Sequence, residues 1–214
     1  MSDADGEIPL SPESLDSGTN VLVAGEPLTR KRSVMVELLD TPDRGAILAS
    51  TKQPAARLRE EFGRRYDADE WELRFVDCVT KRRSIDAVRE TETTRYVTDP
   101  GDLTGIGIEF SGFMREFYHS DDIGHARLGF DSLSPVLMYA DIRRVYQFLH
   151  VITGRVASSG FAGVFTLDTV GGDRQVAKQL TQVFDAVVEV RETDDATELR
   201  VRGDDFGPRS WTRF

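Results

Sequence analysis

Between Asn20 and Leu39 the chain reads NVLVAGEPLTRKRSVMVELL: an apolar run, a glycine, a polar loop and an amphipathic run. A phosphate-binding loop of the form G-x-x-x-x-G-K-[ST] wraps phosphate oxygens with backbone N–H groups, and adds a lysine for the outer phosphates and a hydroxyl for Mg2+. Gly25 and Lys31 stand in register with the first glycine and the lysine. Arg30, directly after Thr29, replaces the second glycine, and its Cβ limits φ and close backbone approach. Arg32 replaces the hydroxyl residue, and a guanidinium cannot coordinate a cation. Three consecutive cations at a helix start also oppose the helix dipole. Two readings stay open. Either Arg30, Lys31 and Arg32 hold an anion, or they pair with acids such as Glu26, Glu37 and Asp131 and fill the vacated loop.

Asp131, in RLGFDSLS, ends an apolar run where a magnesium-binding aspartate would belong. It could equally be held by Ser132 or Ser134, or pair with Lys31. Thr166 and Asp168, in VFTLDTV, are polar groups at the end of another apolar run. His119, His125 and His150 lack metal-ligand spacing. Cys78 is the sole cysteine, which excludes an internal disulfide and a cysteine-based zinc cluster; it reads as a small core residue. Lys81–Ser84 (KRRS) is a basic cluster in a loop.

The elements that must position these residues alternate between strand and helix. NVLVAG, GAILAS, WELRFVDCV, HARLGFD and FAGVFTLDT read as buried strands, and DAVVEVRE with TELRVRG as a closing pair. Between them, KRSVMVELLD, PAARLREEFGRR, GIEFSGFMREFYH and DRQVAKQLTQVF read as helices. The clearest helix is DIRRVYQFLHVITGRVASSG, with Ile142, Val145, Phe148, Leu149 and Ile152 on one stripe. Ile108, Phe113 and Phe117 are assigned to one helical face, and Lys81 to Gly105 to a long loop with room for a short helix. Such alternation predicts a mostly parallel α/β sheet covered on both faces, with ligands at the carboxyl ends of its strands.

The 214-residue chain suits one domain with tails, and has no run of about 20 apolar residues to span a membrane. Met1–Ser17 is acidic, carries two prolines and no signal-peptide pattern; it is expected to be a disordered tail, with the domain at 18–203 and a C-terminal tail at 204–214. The single cysteine and the absence of a signal point to the cytoplasm. The net charge is -10, with 37 acidic residues against 27 basic, of which 4 are lysine. Such a surface fits a halophilic source, where molar salt damps self-repulsion. It also argues against general nucleic-acid binding.

NVLVAGEPLTRKRS, RLGFDSLSPVL, GVFTLDT and the closing FDAVVEVRE/ELRVRG hairpin, in that order, resemble the KaiC-like branch of the RecA superfamily, which includes RadA-like recombinases and archaeal GvpD-type regulators. The likeness runs from about Gly18 to Gly203. It implies a three-layer α/β RecA-like fold with a C-terminal antiparallel strand pair. It also implies a nucleotide loop at Gly25–Arg32 and a Walker B aspartate at Asp131. In that family the strand after the loop helix ends in glutamates that orient water, whereas here Thr51 and Lys52 stand there. The resemblance therefore implies a dismantled hydrolytic site, with no catalytic residue, no resident metal and no cofactor, ATP being the one candidate left open. Function is expected through a protein partner, an active paralogue or a signalling component, or through a homo-oligomer, and no membrane is involved. The alternatives are a nucleotide- or anion-binding switch without hydrolysis and a recombinase accessory protein touching single-stranded DNA.

Overall fold

In the computed structural model, which describes residues 7–83, 88–120, 123, 125–169, 174–203 and 205–214, the short apolar runs become neighbouring strands. The order along the chain is β1 (Asn20–Gly25), α1 (Lys31–Leu38), β2 (Gly45–Ser50), α2 (Ala55–Gly63), β3 (Glu72–Asp77), α3 (Thr80–Arg83), β4 (Thr94–Tyr96) and α4 (Leu103–Tyr118). It continues with β5 (Ala126–Asp131), α5 (Leu133–Tyr139), α6 (Ile142–Ser158), β6 (Ala162–Asp168), α7 (Arg174–Leu180), β7 (Ala186–Glu192), β8 (Thr197–Arg202) and β9 (Thr212–Arg213). The described strands form one sheet in the order β4-β3-β2-β5-β6-β1-β7-β8-β9. β1 to β7 run parallel, and β8 and β9 are antiparallel. This is the expected mostly parallel α/β sheet with a closing antiparallel hairpin.

Alternation along each strand divides the core. Leu22, Ala24, Ile47 and Ala49 face a layer built by α4, α5 and α6. Val21, Val23, Ala46 and Leu48 face α1 and α2. Covering both faces explains why these strands read as continuous apolar runs rather than as alternating ones. The starts of α4 and α6 are fixed by side-chain caps: Asp102 accepts from Gly105 N at 2.8 Å, and Asp141 from Arg144 N at 3.1 Å. Register then aligns the carboxyl ends. Gly25 is opposite Asp168, and Ser50 is opposite Asp131, so β1, β6, β5 and β2 present one continuous edge.

Several expectations need correction. The expected tail at 1–17 is packed over its described part; Met1–Gly6 lie outside the described residues. Ile8, Pro12 and Leu15 are buried against a core that includes Phe206 and Val201. Ser11 N donates to Phe206 O at 2.8 Å. Arg127, 6 % exposed, donates to Leu38 O at 2.7 Å and Pro12 O at 2.6 Å, which ties the segment to the last turn of α1. Burial pushes the Arg127 pKa down to about 10. The C-terminal stretch, of which residue 204 lies outside the described set, also packs: Phe206 is fully buried and β9 joins the sheet. An apolar surface left open by β8 and α1 needs covering, and these two segments supply the cover.

The loop expected at 81–105 begins with the short helix α3, but it also holds the edge strand β4, and its last residues begin α4; residues 84–87 lie outside the described residues. Ile108 is 61 % exposed because the buried stripe of α4 runs through Leu103, Ile106, Phe110, Phe113, Met114 and Phe117. The helix expected from Asp173 to Phe184 is α7 followed by a 3-10 turn, Thr181–Val183.

Deleting Met1–Ser17 should lower the unfolding free energy by roughly 3–6 kcal/mol, from lost burial of Ile8 and Leu15 and a lost acceptor for Arg127. Urea denaturation measures it; an unchanged midpoint would restore the disordered-tail reading.

Candidate functional site

The loop after β1 is closed by its own atoms. Gly25 has no room for a side chain, since an added Cβ would overlap the Val190 carbonyl of β7. The motif glycine is thus required by strand packing alone. Thr29 Oγ1 donates to Glu26 O at 2.9 Å and accepts from Lys31 Nζ at 2.8 Å. Lys31 Nζ also donates to Glu26 O. The lysine that would reach an outer phosphate is 4 % exposed and folded back into the loop. Leu28, at φ 68°, points fully into solvent.

Lys31 Nζ lies 3.1 Å from Asp168 Oδ1, and Lys52 Nζ donates to Asp168 Oδ2 at 2.6 Å. Burial lowers the Lys31 pKa, and the Asp168 charge only partly opposes it. Burial alone would raise Asp168, but the contacts with Lys52 and Lys31 outweigh it, so its carboxyl sits below the ordinary value.

Arg32 occupies the neighbouring position. Its Nε donates to Asp131 Oδ2 at 2.8 Å, with NH2 2.7 Å from the same oxygen, and NH1 is 2.9 Å from Glu61 Oε2 on α2. Burial would lower its pKa; Asp131 and Glu61 reverse that and raise it. Asp131 Oδ1 accepts from Thr166 Oγ1 at 3.2 Å. Magnesium does not fit this donor set. Both Asp131 oxygens are engaged, one by a guanidinium, and the hydroxyl position is itself a cation. Arg30 turns away, donating to Phe214 O at 3.2 Å with its guanidinium 4.8 Å over the Phe214 ring.

Thr51 stands where the resemblance implies a glutamate, and it ties two strands together. Its N–H donates to Asp131 O at 2.8 Å, its Oγ1 donates to Ser132 O at 2.6 Å and accepts from Ser132 N at 2.8 Å. Ser132 follows Asp131 through a cis peptide bond. Ser132 Oγ donates to Thr166 O at 3.0 Å, and Ser134 Oγ accepts from Asp168 N at 2.8 Å.

Gly25, Thr29, Lys31, Arg32 and Asp131 therefore meet at one edge, while Arg30 does not face it. Of the acids proposed for the basic triplet, Asp131 pairs with Arg32 rather than Lys31. Glu26 contributes its backbone carbonyl, and Glu37 pairs with Arg65. Ser132 and Ser134 do not hold the Asp131 carboxylate. The sequence reading missed Glu61 and the joint claim of Lys31 and Lys52 on Asp168. The one available signal was the polar end of VFTLDTV. His119, His125 and His150 fall on the end of α4, before β5 and on α6. Among the described residues no cluster of three His, Cys, Asp or Glu side chains could hold a metal. The Cys78 thiol is buried, and burial pushes its pKa up.

Asp168 has a signature in pH. Its folded pKa lies below the unfolded value of about 4, so its contribution is complete above that value and is lost as pH falls through the folded one. Wild type should be more stable than Asp168→Asn at pH 7, and the gap should close below about pH 4. Urea midpoints across pH 2–7 measure this; a gap that does not change with pH would remove Asp168 from the ion-pair role.

Among the described residues no helix is long and apolar enough to cross a membrane. A search of curated proteins returns no match. Among solved structures, a KaiC-like protein from the hyperthermophilic archaeon Pyrococcus horikoshii superposes with a TM-score of 0.59 at 13% identity, over 92% of this chain and 82% of that one. At that identity the likeness is one of fold: the chain has a KaiC-like RecA fold. A family model matches residues 18–190, and the chain belongs to that family, DUF7504, described as a family of unknown function.

Proposed function

We propose that this is a non-catalytic RecA/KaiC-like protein, a pseudo-ATPase with a degenerate Walker A loop, that regulates or scaffolds through protein–protein contacts. The observation that carries the reading is Arg32, whose guanidinium sits at the metal-holding position bonded to Asp131 and Glu61. Phosphoryl transfer depends on positioning and on charge neutralisation by a metal. Here protein cations already neutralise the acids. Lys31, Arg32 and Lys52 balance Asp131, Asp168 and Glu61, so the edge needs no ligand to be electrically satisfied. The proposed partner is an active paralogue, a signalling component or a second copy. A nucleotide-driven switch would require Lys31 to leave both Asp168 and its own loop, and single-stranded DNA would meet a chain of net charge -10.

Inorganic phosphate release from ATP in molar salt should not exceed the buffer blank, and ATP, ADP and GTP should not shift the melting temperature. A nucleotide bound at 100 times its Kd would add about 2.7 kcal/mol, which a thermal-shift assay resolves. Steady phosphate release that disappears in Lys31→Ala would end the proposal.

Arg32→Met should destabilise by about 2–4 kcal/mol, because it leaves Asp131 buried without its cation. Adding Asp131→Asn should recover most of the loss. The double-mutant cycle reports this coupling; additive effects would show that the pair does not hold the edge.

A further inference from the structure

A cleft of about 420 Å3 lies between α3 and α5 at the carboxyl ends of β2 and β3. Its volume falls in the range of small-molecule sites. Two cations, Lys52 and Arg82, line it together with Pro100, Pro135, Met138 and Tyr139, and among the described residues its lining has no acidic side chain. Arg82 donates to the Tyr139 hydroxyl and lies 5.1 Å from its ring centroid. Among the described residues no carboxylate pairs with Arg82. Lys52 gives one N–H to Asp168 and, as an ammonium, has two more to give. Met138 is 84% exposed and Tyr139 49% exposed, so the apolar wall is open to an incoming molecule.

We propose that this cleft binds a small organic anion, a carboxylate or phosphate group carried on an apolar or aromatic body. Arg82 and Lys52 take the anionic head, since a guanidinium matches both groups with paired N–H donors. Met138, Tyr139 and the two prolines cover the body. The site is distinct from the β1–α1 loop, whose cations are committed to Asp131 and Asp168, and it meets that network only through Lys52.

Calorimetric titration of the full chain at low and molar salt tests the assignment, with phenylacetate and phenyl phosphate as probes and acetate and inorganic phosphate as head-only controls. At least one aromatic anion should bind saturably and about tenfold more tightly than its control, and Arg82→Ala should weaken it about tenfold. The tighter of the two aromatic probes identifies the head group. Arg82 is exposed, so the variant should keep the wild-type circular dichroism; if it does not fold, Tyr139→Ser, which removes part of the wall, must weaken the aromatic probe and not its control. No saturable binding of either aromatic anion would overturn the proposal. So would equal affinity for inorganic phosphate and phenyl phosphate (an adventitious ion only), or unchanged affinity in folded Arg82→Ala.

Discussion

Lys31 carries a positive charge, is almost wholly buried, and sits at the N-terminal end of α1, where the helix dipole is already positive. Withdrawing an ammonium from water costs several kcal/mol. A carboxylate 3.1 Å away returns about 5 kcal/mol at an effective dielectric of about 20. The two terms nearly cancel, so the Lys31–Asp168 pair adds little net stability and instead fixes where both groups lie. Removing one partner is a different matter, because a buried charge is then left with no compensation. That asymmetry holds the whole carboxyl edge of the sheet in one arrangement.

The same constraint separates the loop's shape from phosphate binding. Gly25 is demanded by the Val190 carbonyl, and Thr29 closes a turn on Glu26 and receives Lys31. Thr51 ties β2 to the end of β5. Each residue that matches or replaces a motif position has a partner within the chain. A loop of this outline can therefore persist without the anion that such loops usually cradle. The loop's own side chains close the space beside Asp168.

The central strands β1, β2, β5 and β6 were legible because each is a short, largely apolar run stopped by glycine or a polar residue, and α6 because its apolar stripe has a clean helical period. The segment at 7–17 was not. Its prolines and acids read as solvated chain, yet Ile8 and Leu15 are buried in one cluster with Phe206, almost two hundred residues away, a meeting that no local pattern encodes. β4 is three residues at a sheet edge, too short to alternate visibly. Motif register located the site residues, but their partners depend on strand order. β6 lies between β1 and β5, so Asp168 is placed against Lys31, while Glu37, far nearer in sequence, turns to Arg65.

Lys52 and Asp168 explain each other. Lys52 reaches Asp168 at 2.6 Å, whereas a glutamate at position 52, as the resemblance implies, would put a second carboxylate near it. Neighbouring carboxylates disfavour each other's ionised form. A lysine there turns repulsion into a pair and lets Asp168 serve Lys31 as well. Lys52 also lines the cleft beside α3. The lysine after β2 and the acid at the end of β6 thus form one arrangement of charge, which holds Asp168 for Lys31 and leaves two Lys52 N–H donors unused.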